Sequence, residues 1–174
     1  MRLLEGRPVR PPRRLAHQRD NMRNKIEKFR QELVAQKKIG LDSMIFIYQF
    51  ADHPKFGPLT QAVFDLLEKG KIQAVTSTIT ILEVFIQPEK EKNQFIISEY
   101  EKVFQNLPNL EIVDVNWYLA RLASRIRALH ANIRTPDALQ LSAPLLKGYT
   151  AFLTNDERLE QVNLLKIIML RDYL

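Results

Sequence analysis

Four carboxylates in this sequence stand where solubility does not explain them. Asp42 sits in Gly-Leu-Asp-Ser-Met-Ile-Phe-Ile-Tyr, an apolar run with no basic residue close to it. A lone carboxylate buried there would cost roughly several kcal/mol if unpaired. Glu83 lies in Thr-Ile-Leu-Glu-Val-Phe, one helical turn past a short apolar stretch. Asp137 is in the first turn of a helix opened by Thr135-Pro136. Asp156 follows a fourth apolar stretch in Leu-Thr-Asn-Asp-Glu. If the fold brings such groups together they repel, by roughly 1–4 kcal/mol for two charges at about 4 Å. A hard divalent cation is the usual remedy. Mg²⁺ and Mn²⁺ take oxygen ligands, keep several waters and bridge phosphate oxygens. The matching chemistry is metal-assisted attack of water on a phosphodiester.

Each acid also has a structural reading. Glu83 closes a capping box with Thr80 in the T-x-x-E pattern. Asp137 follows a Thr N-cap and a Pro at the first helical position, where a negative charge favours the helix dipole. Asp156 is itself an acceptable N-cap. Asp42 has no comparable local explanation.

The elements that must position these acids follow from periodicity and punctuation. Met22 to Lys38 has helical spacing at Ile26, Phe29, Leu33 and Val34, and Gly40 stops it. The run from Ile39 reads as a buried strand passing into a buried helix. Pro54, Gly57 and Pro58 mark a loop. Leu59–Lys69 is an amphipathic helix, Ile72–Thr76 a strand, and Ile79–Ile86 a helix closed before Pro88. Glu89–Leu107 is a longer helix with Phe95, Ile96, Tyr100, Val103 and Phe104 on one face. Leu110–Val115 is a strand. Asn116 caps a helix to about His130, with Trp117, Leu119, Leu122, Ile126 and Leu129 inward. A helix from Thr135 to Lys147, a strand Ala151–Thr154, a turn Asp156–Leu159 and a strand Leu164–Met169 complete the chain. Short strands alternating with helices predict a parallel sheet covered on both faces. In such sheets the site lies beyond the carboxyl ends of the strands. Three of the four acids lie at or just past such an end, and the start of the fourth acid's helix can face the same edge.

Composition narrows the class. The 174 residues are 45% hydrophobic and 26% charged, which suits one globular domain. The absence of Cys excludes disulfides, thiolate metal sites and cysteine nucleophiles, and fits a reducing compartment. No apolar run reaches the roughly 18 residues of a membrane helix. Residues 1–40 carry twelve Lys/Arg against four Asp/Glu, and the rest fourteen against sixteen, so the basic character belongs to the N-terminal part. Residues 1–21 read as a basic extension that is unstructured by composition, and 22–38 as an amphipathic helix leading into a domain at 39–174. The extension is an inert addition, the product of a start codon upstream of a functional Met22, or a nucleic-acid arm.

The remaining candidates are weaker. His17, His53 and His130 are scattered without zinc spacing, and His53 reads as a loop residue. No phosphate-binding glycine loop or serine-nucleophile elbow is present. Phe95, Tyr100, Phe104, Trp117 and Tyr118 fit a core or dimer interface better than nucleobase platforms. Arg121, Arg125 and Arg127 form a solvated face or touch RNA phosphates.

Taken in order, Gly-Leu-Asp-Ser-Met-Ile-Phe-Ile-Tyr, Ser-Thr-Ile-Thr-Ile-Leu-Glu-Val, Arg-Thr-Pro-Asp-Ala-Leu-Gln-Leu-Ser-Ala and Phe-Leu-Thr-Asn-Asp resemble the motifs of the PIN-domain family. Within it they are similar to the VapC-type ribonuclease toxins of toxin–antitoxin pairs. The resemblance covers about residues 39–170. It implies a three-layer α/β/α fold with a five-stranded parallel sheet in order 3-2-1-4-5. It also implies a metal-dependent endoribonuclease, using Mg²⁺ or Mn²⁺, that leaves 5′-phosphate ends. Its acidic positions map onto Asp42, Glu83, Asp137 and Asp156 as catalytic and metal-binding residues. Thr154 matches a supporting hydroxyl, and Ser43 and Asn155 are neighbouring motif positions. A cytoplasmic protein is implied, acting on RNA, held by a cognate antitoxin and paired as a homodimer. The alternatives are a PIN scaffold that binds RNA or protein without cutting, and a PIN nuclease that is not a toxin. The resemblance is silent on residues 1–21.

Overall fold

The computed structural model describes residues 13–174, with side chains from residue 20 onward. Helix α1 (Arg13–Gln36) leads into β1 (Lys38–Leu41), then α2 (Ser43–Phe50), α3 (Gly57–Glu68) and β2 (Gln73–Ser77). These are followed by α4 (Thr78–Lys90), α5 (Gln94–Asn106), β3 (Leu110–Val113), α6 (Trp117–Leu129), α7 (Thr135–Leu146), β4 (Ala151–Thr154) and β5 (Lys166–Met169). Short 3₁₀ turns occupy Glu157–Gln161 and Leu170–Tyr173. The five strands form one sheet in the order β3-β2-β1-β4-β5, and every neighbouring pair is parallel. This is the topology that the alternation of strands and helices, together with the family resemblance, leads one to expect.

The central strand has neighbours on both edges and is buried except at its first residue. Its side chains divide the core. Ile39 and Leu41 join Phe29, Leu33, Ile45, Phe46, Leu59, Val63 and Leu67 from α1, α2 and α3 on one face. On the other face Phe152 of β4 packs with Ala123, Ile126, Ala138 and Leu141 of α6 and α7. Gly40 points to that second face, where a Cβ would stand 2.6 Å from both the Phe152 ring and Pro144. Helix α7 therefore lies directly on the central strand, which brings its first turn to the strands' carboxyl edge.

Several local readings change. Helix α1 takes in residues 13–21, placed in the extension by composition, and no Pro or Gly interrupts it from Arg13 to Gln36. Residues 1–12 lie outside the described residues. Pro88 does not close α4 but sits in its last turn. The break falls at residues 91–93, where Lys92 adopts φ 51° and Asn93 caps α5 through the Ile96 N–H at 3.2 Å. Trp117 and Leu129, expected inward, are each more than 70% exposed, as is Phe95, read as part of a core or dimer interface. The stripe that α6 buries is narrower, with Leu119, Ala123 and Ile126 at its centre. Tyr100 and Phe104 do join the core, Tyr100 stacking on Phe50 and Phe104 meeting Phe46 at a tilt, with ring centroids 5.0 Å apart. Strands β3 and β5 are shorter than their apolar runs. Among the described residues no helix is long and apolar enough to cross a membrane.

Candidate active site

Asp42 directly follows β1 and caps α2. Its backbone N–H donates to the Leu153 carbonyl at 3.0 Å, which locks the residue against β4. Its Oδ1 accepts from the Met44 N–H at 3.4 Å and the Ser43 hydroxyl at 3.2 Å, and its Oδ2 accepts from the Thr154 hydroxyl. The side chain is buried and makes no ion pair among the described residues. Burial pushes its carboxyl up to about 6, against the hydrogen bonds from Thr154, Met44 and Ser43, with the charge of Asp137 adding to the rise. No basic residue is close to it in sequence, and among the described residues none reaches it across the fold to form an ion pair.

Thr154, at the end of β4, is fully buried and serves two acids. Its hydroxyl donates to Asp42 and accepts from the Asp156 N–H at 3.0 Å. Asp156 then caps the 3₁₀ turn through the Arg158 N–H at 2.9 Å. Asn155 faces away from the acids: its amide donates to the Tyr48 hydroxyl and its carbonyl accepts from the Arg171 N–H. That ties the C-terminal turn to α2, a positioning contact.

Glu83 is half-buried on α4. The Thr80–Glu83 capping box is not formed, because α4 starts at Thr78 with Ser77 as N-cap. Thr80 instead bonds Thr76, whose hydroxyl donates to the Leu41 carbonyl at 2.9 Å. Glu83 is left free to accept from Gln140 at 2.6 Å. The other end of the Gln140 amide accepts from the Ser43 N–H at 3.0 Å. This buried glutamine links α2, α4 and α7. Its signal is a polar residue inside Ala-Leu-Gln-Leu-Ser-Ala, one helical turn past Asp137, since a buried amide requires partners.

Asp137 lies in the first turn of α7, where Arg134 rather than Thr135 is the N-cap. Its carboxylate accepts from the Arg134 N–H at 3.3 Å. Burial raises its carboxyl above the usual range; Arg158 opposes this, and the charges of Asp156 and Glu83 add to it. Arg158, like Gln140, is a site residue that the sequence reading does not single out. Its guanidinium grips Asp156 through Nε at 2.9 Å and through Nη2, and Nη2 also stands 3.3 Å from Asp137. That grip holds the Asp156 carboxyl below the usual range.

Asp137 is thus the hub of the four acids: it feels the charges of Asp156 and Glu83 and adds its own to Asp42, with Arg158 as the cation paired to Asp137 and Asp156. Arg127, by contrast, is pinned to the α6–α7 connection through the Ile133 carbonyl and Thr135. Arg121 and Arg125 are exposed on α6. His53 organises its own loop by accepting from the Lys55 and Phe56 N–H groups.

With this arrangement in hand, comparison with known families is decisive. The PIN-domain family model matches residues 39–165. The chain belongs to the PIN-domain family. No curated protein sequence matches it significantly. Among solved structures, this PIN domain is similar to VapBC2 from Rickettsia felis bound to a DNA fragment from their promoter, at 20% identity and TM-score 0.56, over 76% of this chain and 98% of that one. A toxin–antitoxin complex from Klebsiella pneumoniae aligns at 17% identity and TM-score 0.56, over 76% and 97%. DNA-bound VapBC from Salmonella typhimurium aligns at 20% identity and TM-score 0.57, over 77% and 98%. At these identities the likeness is one of fold. Helix α1 lies outside the residues matched by the family model, yet its Phe29 and Leu33 are fully buried in the PIN core.

The donor chemistry around the acids suits a hard divalent ion. It offers carboxylate, hydroxyl and amide oxygen, without sulfur or imidazole, and three of the acids, Asp42, Asp137 and Asp156, share the charge of one guanidinium. Among the described residues, no three His, Asp or Glu side chains stand close enough together to ligate one ion.

Proposed function

We propose that this PIN domain is a divalent-metal-dependent endoribonuclease and the toxin of a toxin–antitoxin pair. The observation that carries the reading is a buried carboxylate, Asp42, that makes no ion pair among the described residues and feels the charge of Asp137, which in turn feels those of Glu83 and Asp156. A scaffold gains nothing from mutually repelling acids, and a phosphodiesterase needs them. Asp42, Glu83, Asp137 and Asp156 would hold Mg²⁺ or Mn²⁺, directly or through water. When bound, such an ion supplies positive charge to the phosphate oxygens and acidifies the attacking water.

The chain's own residues prepare that chemistry. Thr154 and Ser43 fix the Asp42 carboxylate so that it need not reorganise on binding. Gln140 holds Glu83 toward α2. Deep burial of Asp42 keeps bulk water from screening its charge. The structural likeness to toxin–antitoxin complexes supports a cognate antitoxin as partner. RNA as substrate, 5′-phosphate products, a homodimer and a cytoplasmic setting belong to the same reading.

The test is incubation of the purified chain with total cellular RNA in Mg²⁺, in Mn²⁺ and in excess EDTA, with fragment ends mapped. Cleavage in either metal, none in EDTA and none by Asp42→Asn is the expected result. Full activity in EDTA, or an Asp42→Asn protein cutting at the parent rate, would overturn the hydrolytic mechanism. Tight RNA binding without cleavage would favour a silent scaffold.

A further inference from the structure

We propose that Arg158 is a built-in counter-ion that competes with the divalent ion for the acidic cluster. This rests on the metal-dependent reading above and adds a control to it. The geometry has two unequal parts. Arg158 grips Asp156 as a fork, with Nε on one carboxylate oxygen at 2.9 Å and Nη2 on the other. It reaches Asp137 with Nη2 alone, at 3.3 Å. The fork is the strong guanidinium–carboxylate arrangement, and the single longer contact is the weak one. Asp156 is only two residues away and its carboxylate also caps the backbone of Arg158, so that pair is locally enforced. Asp137 arrives from a different element, α7.

Arg158 therefore holds Asp137 only loosely, while its positive charge lies within range of Asp42 as well. The acids around it are Asp42, Asp137 and Asp156, with Glu83 acting in turn on Asp137, and the charge of Arg134 also acts on Asp156. A divalent ion engaging Asp42 and Asp137 meets Arg158 as a like charge. Its binding requires Nη2 to leave Asp137, with the fork on Asp156 as the pivot. The side chain is about one-third exposed, which gives it room to turn. The exchange makes metal affinity a difference between two cations and keeps the acids partly neutralised when divalent ion is scarce.

The prediction couples two effects of opposite sign in one variant of the full chain. Arg158→Gln should melt lower than the parent in EDTA, because the acids lose their counter-ion. The same variant should bind Mn²⁺ about tenfold more tightly by titration calorimetry, because the competitor is gone. Arg121→Gln, an equal charge change on the exposed face of α6, should move neither quantity. A parent that binds Mn²⁺, with an Arg158→Gln protein binding it equally or more weakly, overturns the counter-ion role and leaves the nuclease reading standing. A parent that binds no Mn²⁺ overturns both. If Arg158→Gln does not fold, Arg158→Lys keeps the charge but cannot span both acids. It must then bind Mn²⁺ more tightly than the parent, and equal affinity overturns the proposal.

Discussion

Replacing Asp42 with Asn should stabilise the protein in EDTA, and by an amount that depends on pH. Burial raises the Asp42 carboxyl from 3.8 to about 6. Below the lower value the group is protonated in both the folded and the unfolded chain and contributes nothing. Between the two values the unfolded chain loses its proton while the folded one keeps it, so stability falls as pH rises. Above the upper value both forms are ionised and the folded state carries the whole penalty. That interval corresponds to about 3 kcal/mol. Asn cannot ionise, and it still caps the Met44 N–H. It surrenders one acceptor oxygen, at a cost of about 1 kcal/mol, although the Thr154 hydroxyl can rotate to accept from the amide. A net gain of about 1–3 kcal/mol at pH near 7.5 should raise the melting temperature by roughly 2–10 °C for a chain of this size. The assay is a thermal melt of parent and variant in EDTA across about pH 4 to 8. Other groups titrate in both proteins and largely cancel, so the difference isolates Asp42. A gap that does not widen between about pH 4 and 7 would refute the buried, unpaired carboxylate. So would a variant that melts lower than the parent at the alkaline end.

Four further outcomes follow from the packing. Gly40→Ala places its Cβ 2.6 Å from Phe152 and Pro144, so it should lower stability by about 1–3 kcal/mol in denaturant titration. Gln140→Ala strands the Ser43 N–H and frees Glu83, costing about 1–3 kcal/mol. If the nuclease reading holds, it should also depress cleavage with the fold retained by circular dichroism. Phe29→Ala should cost about 3–5 kcal/mol, because that ring is fully buried against Tyr173 and the α3 side of the core. A chain beginning at Met22 keeps Phe29 and Leu33 and should unfold as cooperatively as the full one.

How much of this was legible in the sequence depended on whether a residue's partner lies nearby in the chain. The strands were visible because short apolar runs bounded by Gly, Pro and Asn have few other uses. The sheet order came with the motif order. Asp42 and Glu83 stood out because each breaks an apolar pattern, and Asp137 and Asp156 because each sits at a helix start or just past a strand. Gln140 and Arg158 escaped because their roles lie in contacts made across the fold. Ser43 and Gln140 are 97 residues apart, and nothing in Asp-Glu-Arg-Leu announces that its arginine also reaches α7. Helical spacing showed that α6 has an apolar face but not how much of it a neighbour covers. Trp117 and Leu129, at its two ends, are left outside. Pro88 misled because a proline in a last turn loses only one helical hydrogen bond, a smaller disruption than one mid-helix.

The position of β1 also has a consequence in time. It is the first strand synthesised, yet it belongs in the middle of the sheet, between β2 and β4. The hydroxyl that orients Asp42 is 112 residues downstream. A nascent chain can pair β1 with β2 early, but the opposite edge of β1 stays open until residues 151–154 emerge. Closing so long a loop is entropically costly and comes late in folding. The acids are assembled only when the chain has been made as far as Asp156. An unfinished or prematurely terminated product would carry some of the carboxylates without the arrangement that sets them to work. For a protein proposed to destroy RNA, the topology itself separates being translated from being active.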